Sequence, residues 1–90
     1  MTLQLQIEKL KGHENYKCWS MQVQAYLESE DLWTVLKKGP DPDCEESMRK
    51  EKRVKFIILC LIEKKILDFI IIMNKPYTAS DLWCYLRRKF

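Results

Sequence analysis

The chain has 90 residues and a mass of 10.9 kDa, enough for one domain with a modest core and too short for the two-domain architecture of most cofactor-dependent enzymes. Apolar residues make up 47% of the sequence and charged residues 32%, with two glycines and three prolines, which excludes a disordered, collagen-like or low-complexity chain. The net charge of +3 is well below that of a dedicated nucleic-acid-binding module. We therefore predict one folded domain over residues 1–90.

The first ten residues alternate apolar and polar side chains, with Leu3, Leu5 and Ile7 at a spacing of two. This period is typical of a short strand, and an extended arm fits it equally well. No basic stretch precedes an apolar run here, so the segment has no pattern of a secretory signal.

Residues 15–38 predict a first pair of helices. In the longer one, apolar side chains recur at i, i+3, i+7, i+10 and i+11, which places them on one helix face: Tyr16, Trp19, Val23, Tyr26 and Leu27. Asn15 is the expected N-cap of this helix. The second helix is short, takes its apolar side chains from residues 32–36, and should end at Gly39.

Residues 43–73 predict the central helices. Asp43 is the expected N-cap of the first one, and three acid–base pairs at i,i+4 favour it: Glu45/Arg49, Glu46/Lys50 and Glu51/Lys55. Residues 56–62 are apolar on every side, so this part of the helix needs cover all round. We expect a bend near residues 63–65, and the β-branched side chains of residues 66–73 also allow a strand there.

The last predicted helix covers residues 78–90, after an Asn-Lys-Pro turn at residues 74–76. Thr78 and Asp81 stand three positions apart, in the order of a capping box. The final turn carries three cations, which a helix C-terminus favours: Arg87, Arg88 and Lys89.

Together these patterns predict an all-α fold, a small bundle of about five helices. Tryptophan and tyrosine at helical spacing are more typical of a core than of a base-stacking platform. The expected core residues are Tyr16, Trp19, Val23, Leu27, Trp33, Ile58, Ile62, Trp83 and Leu86.

No pattern typical of a catalytic or metal site is present. His13 is the only histidine, so a single chain cannot assemble a histidine-based triad or metal cluster. Gly12 and Gly39 stand alone, without a phosphate-binding loop, and the adjacent carboxylates at residues 30–31 and 45–46 stand where helix starts favour negative charge. We expect no catalytic, cofactor-binding or metal-binding residue, no cofactor, no small-molecule substrate and no enzyme activity.

The cysteines are far apart and lack the C-x₂₋₄-C spacing of zinc sites: Cys18, Cys44, Cys60 and Cys84. Three of them stand among apolar or aromatic neighbours in helical stretches, so we expect buried, reduced thiols and an intracellular protein, cytoplasmic or alternatively nuclear. The longest apolar runs stop well short of the roughly 18 residues that cross a bilayer, so no membrane association is expected.

Motifs at both ends of the chain resemble one known family. Residues 10–19 (LKGHENYKCW) and 32–36 (LWTVL) are similar to the L-x-G, N-Y-x-x-W and L-W-x-V opening of the Gag capsid region of Ty1/copia-type retrotransposons. Residues 78–90 (TASDLWCYLRRKF) resemble that family's T-A-x-x-x-W-x-x-L-x-x-x-F, and Ile58 and Ile62 correspond to its apolar I-x-x-x-L step. The resemblance spans residues 7–90, with a few more residues than usual between positions 66 and 78.

The resemblance implies an all-α N-terminal capsid domain that builds shells and has no catalytic site. This length leaves out the family's second capsid domain and its zinc knuckle, so RNA packaging is not implied. The chain would belong to a retroelement Gag or to a host gene derived from one.

Two functional hypotheses follow. The first is self-association, as a symmetric homodimer or a higher closed assembly, because a helix that is apolar on every side needs a second protein surface to cover it. Its expected contact residues are Phe56, Leu59, Phe69 and Ile70. The alternative is a small nucleic-acid- or chromatin-associated adaptor that uses a basic helix face. We expect any nucleic-acid binding by this chain to be weak and without sequence preference, because it offers only phosphate contacts. Its expected contact residues are Arg49, Lys50, Lys52, Arg53, Arg87, Arg88 and Lys89.

Overall fold

The computed structural model describes residues 7–73 and 78–90, with residues 71–73 described by their backbone only. These residues form five α-helices: α1 (His13–Ser29), α2 (Trp33–Lys38), α3 (Glu45–Cys60), α4 (Lys64–Met73) and α5 (Ala79–Lys89). The prediction of an all-α fold with about five helices is confirmed for this part of the chain.

The first helix begins two residues before the predicted cap. Gly12 precedes His13 with φ of +152°, a backbone region that favours glycine. The side chain of Asn15 faces the preceding segment instead: its Oδ1 accepts the Lys11 N–H at 2.9 Å, and its amide donates to the Lys9 carbonyl at 2.9 Å. The prediction of Asn15 as N-cap is therefore wrong, because its hydrogen bonds hold the incoming chain.

The cap predicted for α3 is also wrong. A turn occupies this position, in which the Cys44 N–H donates to the Asp41 carbonyl at 3.0 Å and the Asp43 N–H donates to the Asp41 carboxylate at 3.0 Å. Cys44 is the residue before the helix. The Asp41 side chain thus stabilises the turn, and Asp43 lies inside it.

At α5 the predicted capping box is confirmed. The Thr78 hydroxyl accepts the Asp81 N–H at 3.1 Å, and the Asp81 carboxylate accepts the Thr78 N–H at 3.2 Å. The helix ends on its three basic residues as expected.

The segment that could have formed a strand is helix α4. Its Ile66 and Ile70, one turn apart, are both buried, and Lys64 forms an i,i+4 ion pair with Asp68 at 3.2 Å. Core packing thus decides against the strand propensity of the β-branched run. The bend lies between Cys60 and Lys64, close to its predicted position, while the predicted turn at residues 74–76 lies outside the described residues.

Extended backbone at the N-terminal end makes one short contact with the bundle. Leu10 forms an isolated parallel bridge with Ile62, in which the Leu10 N–H donates to the Leu61 carbonyl at 2.8 Å and the Leu10 carbonyl accepts the Glu63 N–H at 3.1 Å. Residues 1–6 of the predicted strand or arm lie outside the described residues.

All five helices contribute to one hydrophobic core. Of the predicted core residues, six are buried: Trp19, Val23, Leu27, Ile58, Ile62 and Leu86. The other three are partly exposed and pack against the core from its surface: Tyr16, Trp33 and Trp83. Trp19 lies at the centre, with its indole N–H donating to the Leu61 carbonyl at 2.9 Å.

An aromatic cluster links α1, α2 and α5 around Trp19. Trp83 stacks on Trp19 with ring centroids 5.7 Å apart, and Trp33 meets Trp83 at 5.8 Å, almost perpendicular to it. Tyr16 lies between Trp19 at 6.1 Å and Phe90 at 6.3 Å. The rings therefore hold the first and the last helix together through contacts with one another.

Glu51 of α3 forms a contact with α5 that its helical spacing did not predict. It is 6% exposed and accepts the backbone N–H of Ala79, the first residue of α5, at 2.9 and 3.3 Å through its two carboxylate oxygens. An N–H at this end of a helix has no acceptor within the helix, so Glu51 acts as a tertiary cap that joins α3 to α5.

Candidate self-association surface

The outer face of α3 exposes a large aromatic ring. Phe56 is 67% exposed, although Val54 and Ile58, two positions to either side of it, are fully buried. Four exposed residues lie on the same helix face as Phe56 by their spacing: Arg49, Lys52, Arg53 and Cys60. This outer face of α3 thus combines a basic first half with an aromatic second half.

Two of the predicted self-association residues are less accessible than Phe56. Leu59 is partly buried and packs against the core. Ile70 is 4% exposed and belongs to the same buried cluster as Ile58, so its placement on the contact surface is wrong. The physical reason is that α4 folds back onto the bundle and buries this side chain.

Phe69 is 60% exposed and lies on a different helix from Phe56. The ammonium group of Lys89 stands 5.2 Å from the Phe69 ring centroid, a cation–π distance. Phe69 and Lys89 also line a small cleft of about 190 Å³, whose other walls include Ile66 and Phe90. Among the described residues no ring contact joins Phe56 and Phe69.

The basic residues of α3 have acidic neighbours. Ion pairs of 3.4–3.9 Å join Arg49 to Glu45, Lys50 to Asp31 and to Glu46, and Arg53 to Glu30. The predicted i,i+4 pairs of Glu45 and Glu46 are therefore confirmed. These contacts lie at the surface and are individually weak, yet each places a carboxylate beside a cation that was expected to contact phosphate.

The two predicted basic groups do not form one surface. Arg53 of α3 lies beside Glu30, at the C-terminal end of α1. The end of α5 lies at the other end of α1, where the Phe90 ring is 5.3 Å from that of His13. Because α1 has 17 residues, the groups are separated by roughly 24 Å along its axis.

All four cysteines are exposed and unpaired, so the prediction of buried thiols is wrong. Cys18, Cys60 and Cys84 lie on helices whose neighbouring apolar residues face or pack against the core, and helical geometry turns the cysteines away from it. Cys44 lies in the turn before α3. In the described part of the chain no group of three histidine, cysteine or acidic side chains is arranged to hold a metal ion. No described helix combines the length and apolar character needed to cross a membrane.

Two features of the surface and core were missed from the sequence. Met21 on α1 is 65% exposed, and nothing in its spacing singled it out. The signal for Glu51 was present: it precedes Val54 by three positions and Ile58 by seven, which places it on the buried face of α3. An acidic residue on a buried face requires a hydrogen-bonding partner.

Comparison with known proteins gives one match. Residues 11–36 match the family model of a domain of unknown function (DUF4219), which covers less than a third of the chain. No curated protein and no solved structure is similar enough to match. The matched segment contains α1 and the first part of α2, so it includes Tyr16, Trp19 and Trp33 of the aromatic cluster.

Proposed function

We propose that this chain is a non-enzymatic, capsid-like self-association domain of a Ty1/copia-type retroelement Gag or of a host gene derived from one. The observation that carries the proposal is the exposed Phe56 on the outer face of α3. The core of the domain leaves this large aromatic ring exposed to water, and covering it with a second protein surface lowers the free energy.

The family assignment is supported from both ends of the chain. The domain matched by residues 11–36 occurs in retrotransposon-related proteins. The resemblance of residues 78–90 to the capsid region is independent of that match, because it lies outside the matched segment. Trp19 and Trp83, one from each resembling motif, stack on each other, which gives the two motifs a common structural role.

The contact that best fits this face is an antiparallel pairing of α3 with α3 of a second copy, centred on Phe56. A two-fold axis then brings identical Phe56 rings together. It also places Lys52 of each copy near Cys60 of the other, because the two residues stand four positions before and after Phe56 on the same helix. Both residues are exposed, so both can reach a neighbour.

The size of this face indicates a weak contact. From Arg49 to Cys60 the helix rises roughly 16 Å, and one helix face of that length is smaller than the roughly 800 Å² per partner of a stable complex. We therefore expect dimers at high micromolar concentration. Weak contacts of this kind suit an assembly in which many copies associate together.

Multi-angle light scattering over a wide concentration range tests the proposal, with Phe56→Ser as the variant. Covering one Phe side chain is worth about 1.5–3 kcal/mol, so the variant should dimerise at least tenfold more weakly. Met21→Ser is the matched control, because Met21 is equally exposed but lies on α1. A folded wild type that stays monomeric at millimolar concentration, or equal losses in the two variants, would contradict the proposal.

The antiparallel register has its own test in charge variants. Cys60→Glu should strengthen the dimer by placing a carboxylate near Lys52 of the other copy, and adding Lys52→Glu should cancel that gain. Cys18→Glu on α1 controls for the change in net charge. A Cys60→Glu dimer no stronger than that of Cys18→Glu would rule out this register while leaving the Phe56 test untouched.

The adaptor alternative has less support from the geometry. Carboxylates accompany three of the four α3 cations predicted to contact nucleic acid, and the α5 cations lie at the other end of α1. Elution from heparin by moderate salt is expected. Base-specific binding at physiological salt would favour the adaptor over the capsid-like domain.

A further inference from the structure

A groove of the described structure lies between α1, α2 and α5, away from the outer face of α3. It encloses about 550 Å³, within the size range of ligand-binding pockets. Along α5 it extends from Ser80 to Arg87, a rise of roughly 10 Å, which equals the length of about three residues of extended chain.

The aromatic wall of the groove is preorganised. Tyr16, Trp33 and Trp83 line it, and each is fixed by ring contacts within the cluster around Trp19. Trp83 stacks on Trp19 and stands almost perpendicular to Trp33, and Tyr16 lies 6.1 Å from Trp19, so neighbouring rings already occupy part of each ring's surface. An apolar side chain can pack against the ring surface that remains, whereas binding of a nucleobase requires an open face for stacking.

The charge of the groove is positive. Lys37 from α2 and Arg87 from α5 line it, and no acidic residue is among its described lining. Neither cation lies within ion-pair distance of a described carboxylate, in contrast to Arg49, Lys50 and Arg53 on α3. Two cations beside an apolar wall fit a ligand with anionic groups next to an apolar one.

Polar groups suited to a peptide backbone complete the groove. The amide of Gln24 and the hydroxyl of Ser80 provide both donors and acceptors along its length. Burial raises the pKa of Tyr16 above its ordinary value of 10.0, so the hydroxyl stays protonated at neutral pH and can donate a hydrogen bond.

From this geometry we propose that the groove between α1, α2 and α5 binds a short extended peptide in which carboxylates flank one apolar or aromatic side chain. The apolar side chain packs against Trp33 and Trp83, and the carboxylates pair with Lys37 and Arg87. Such a site would recruit a partner protein through an acidic linear segment, and it is independent of self-association through α3.

Cys84 supplies a local reporter, because its exposed thiol lines the groove. In a variant with the other three cysteines replaced by serine, the rate of alkylation of Cys84 by iodoacetamide reports occupancy of the groove. The probe is acetyl-Gly-Glu-Phe-Glu-Gly-amide, with acetyl-Gly-Gln-Phe-Gln-Gly-amide as its neutral control. We expect the acidic peptide to slow alkylation of Cys84 at least threefold at saturation. The neutral peptide should need at least ten times the concentration to give the same protection.

Charge variants then locate the binding. Lys37→Gln and Arg87→Gln should each lower the affinity for the acidic peptide by about threefold to tenfold. Lys38→Gln, the adjacent exposed cation that does not line this groove, should leave it unchanged. Circular dichroism establishes that each variant is folded.

Three results would overturn the proposal. The first is that the two peptides protect Cys84 from alkylation equally, and the second is that Lys38→Gln and Lys37→Gln weaken binding of the acidic peptide equally. The third is that a uridine hexanucleotide protects Cys84 more strongly than the acidic peptide does. The last would assign the groove to single-stranded nucleic acid. Because the assay follows the monomer at low micromolar concentration, its outcome does not depend on the α3 contact.

Discussion

Replacement of Glu51 tests whether the buried carboxylate joins α3 to α5. Glu51 is 6% exposed, and its two oxygens lie 2.9 and 3.3 Å from the N–H of Ala79, which is fully buried. Glu51→Ala leaves that N–H without its acceptor, at a cost of about 1–3 kcal/mol, and removes buried methylene groups as well. Together we expect a loss of about 2–3 kcal/mol in the free energy of unfolding.

The charge of Glu51 contributes separately. Glu51→Gln keeps an oxygen acceptor of the same shape but loses the attraction between the carboxylate and the positive end of α5, worth about 0.3–1 kcal/mol and up to about 2 when partly buried. The smaller desolvation of the amide offsets part of this loss. We therefore expect Glu51→Gln to lower the free energy of unfolding by about 1 kcal/mol, which is less than the loss in Glu51→Ala.

Urea unfolding followed by circular dichroism measures these losses. Glu46→Gln is the matched control on the same helix, because the Glu46 side chain is 74% exposed and its pair with Lys50, at 3.7 Å, should contribute about 0.5 kcal/mol or less. For a chain of 90 residues, the loss in Glu51→Ala corresponds to a fall in Tm of roughly 10–20 °C. A Glu51→Ala protein as stable as Glu46→Gln would refute the tertiary cap.

Further predictions concern the aromatic cluster and the thiols. Trp19→Phe should cost about 1 kcal/mol for its hydrogen bond, and Trp19→Ala about 3–5 kcal/mol; a loss below about 1 kcal/mol for alanine would mean that the ring is not packed. Tyr16 should ionise with a pKa above 10.0, because burial disfavours the phenolate, so its contribution to stability is present below pH 10 and is lost as the pH rises through its folded-state pKa. An absorbance titration of the wild type and of Tyr16→Phe measures this difference. The prediction would be contradicted if the tyrosine lost in Tyr16→Phe titrated at pH 10 like the other tyrosines. All four thiols should react with a thiol reagent in the native protein, and a native count below four would contradict their exposure. A chelator should leave Tm unchanged, since a loss of fold would reveal a structural metal.

Local signals in the sequence were sufficient where neighbouring residues make the decisive contacts. The capping box of Thr78 and Asp81 forms within three positions, and the ion pairs of Glu45 and Glu46 form within one helical turn. The periodicity of α1 placed Trp19 and Leu27 on its buried face in the same way. Interactions of this range depend on helix geometry alone, and any helix of this sequence would contain them.

The candidate surface was only partly predictable. A fully apolar stretch indicates that other residues must pack against it, but it does not indicate which of its side chains become buried. Phe56 is exposed, whereas Ile70, which was assigned to the same patch, is buried. Exposure of a residue depends on which helix packs beside it, and that helix can be distant in the sequence.

The sequence by itself determined α1, α2, α3 and α5, because hydrophobic period and ion pairs within a helix act over a few positions, whereas core packing decided that α4 is a helix. The tertiary structure alone decided the partner of Glu51, the exposure of Phe56 beside the burial of Ile70, and the meeting of Tyr16, Trp33 and Trp83 in one groove. These depend on contacts between residues far apart in the chain, where a small change in helix packing exchanges one neighbour for another.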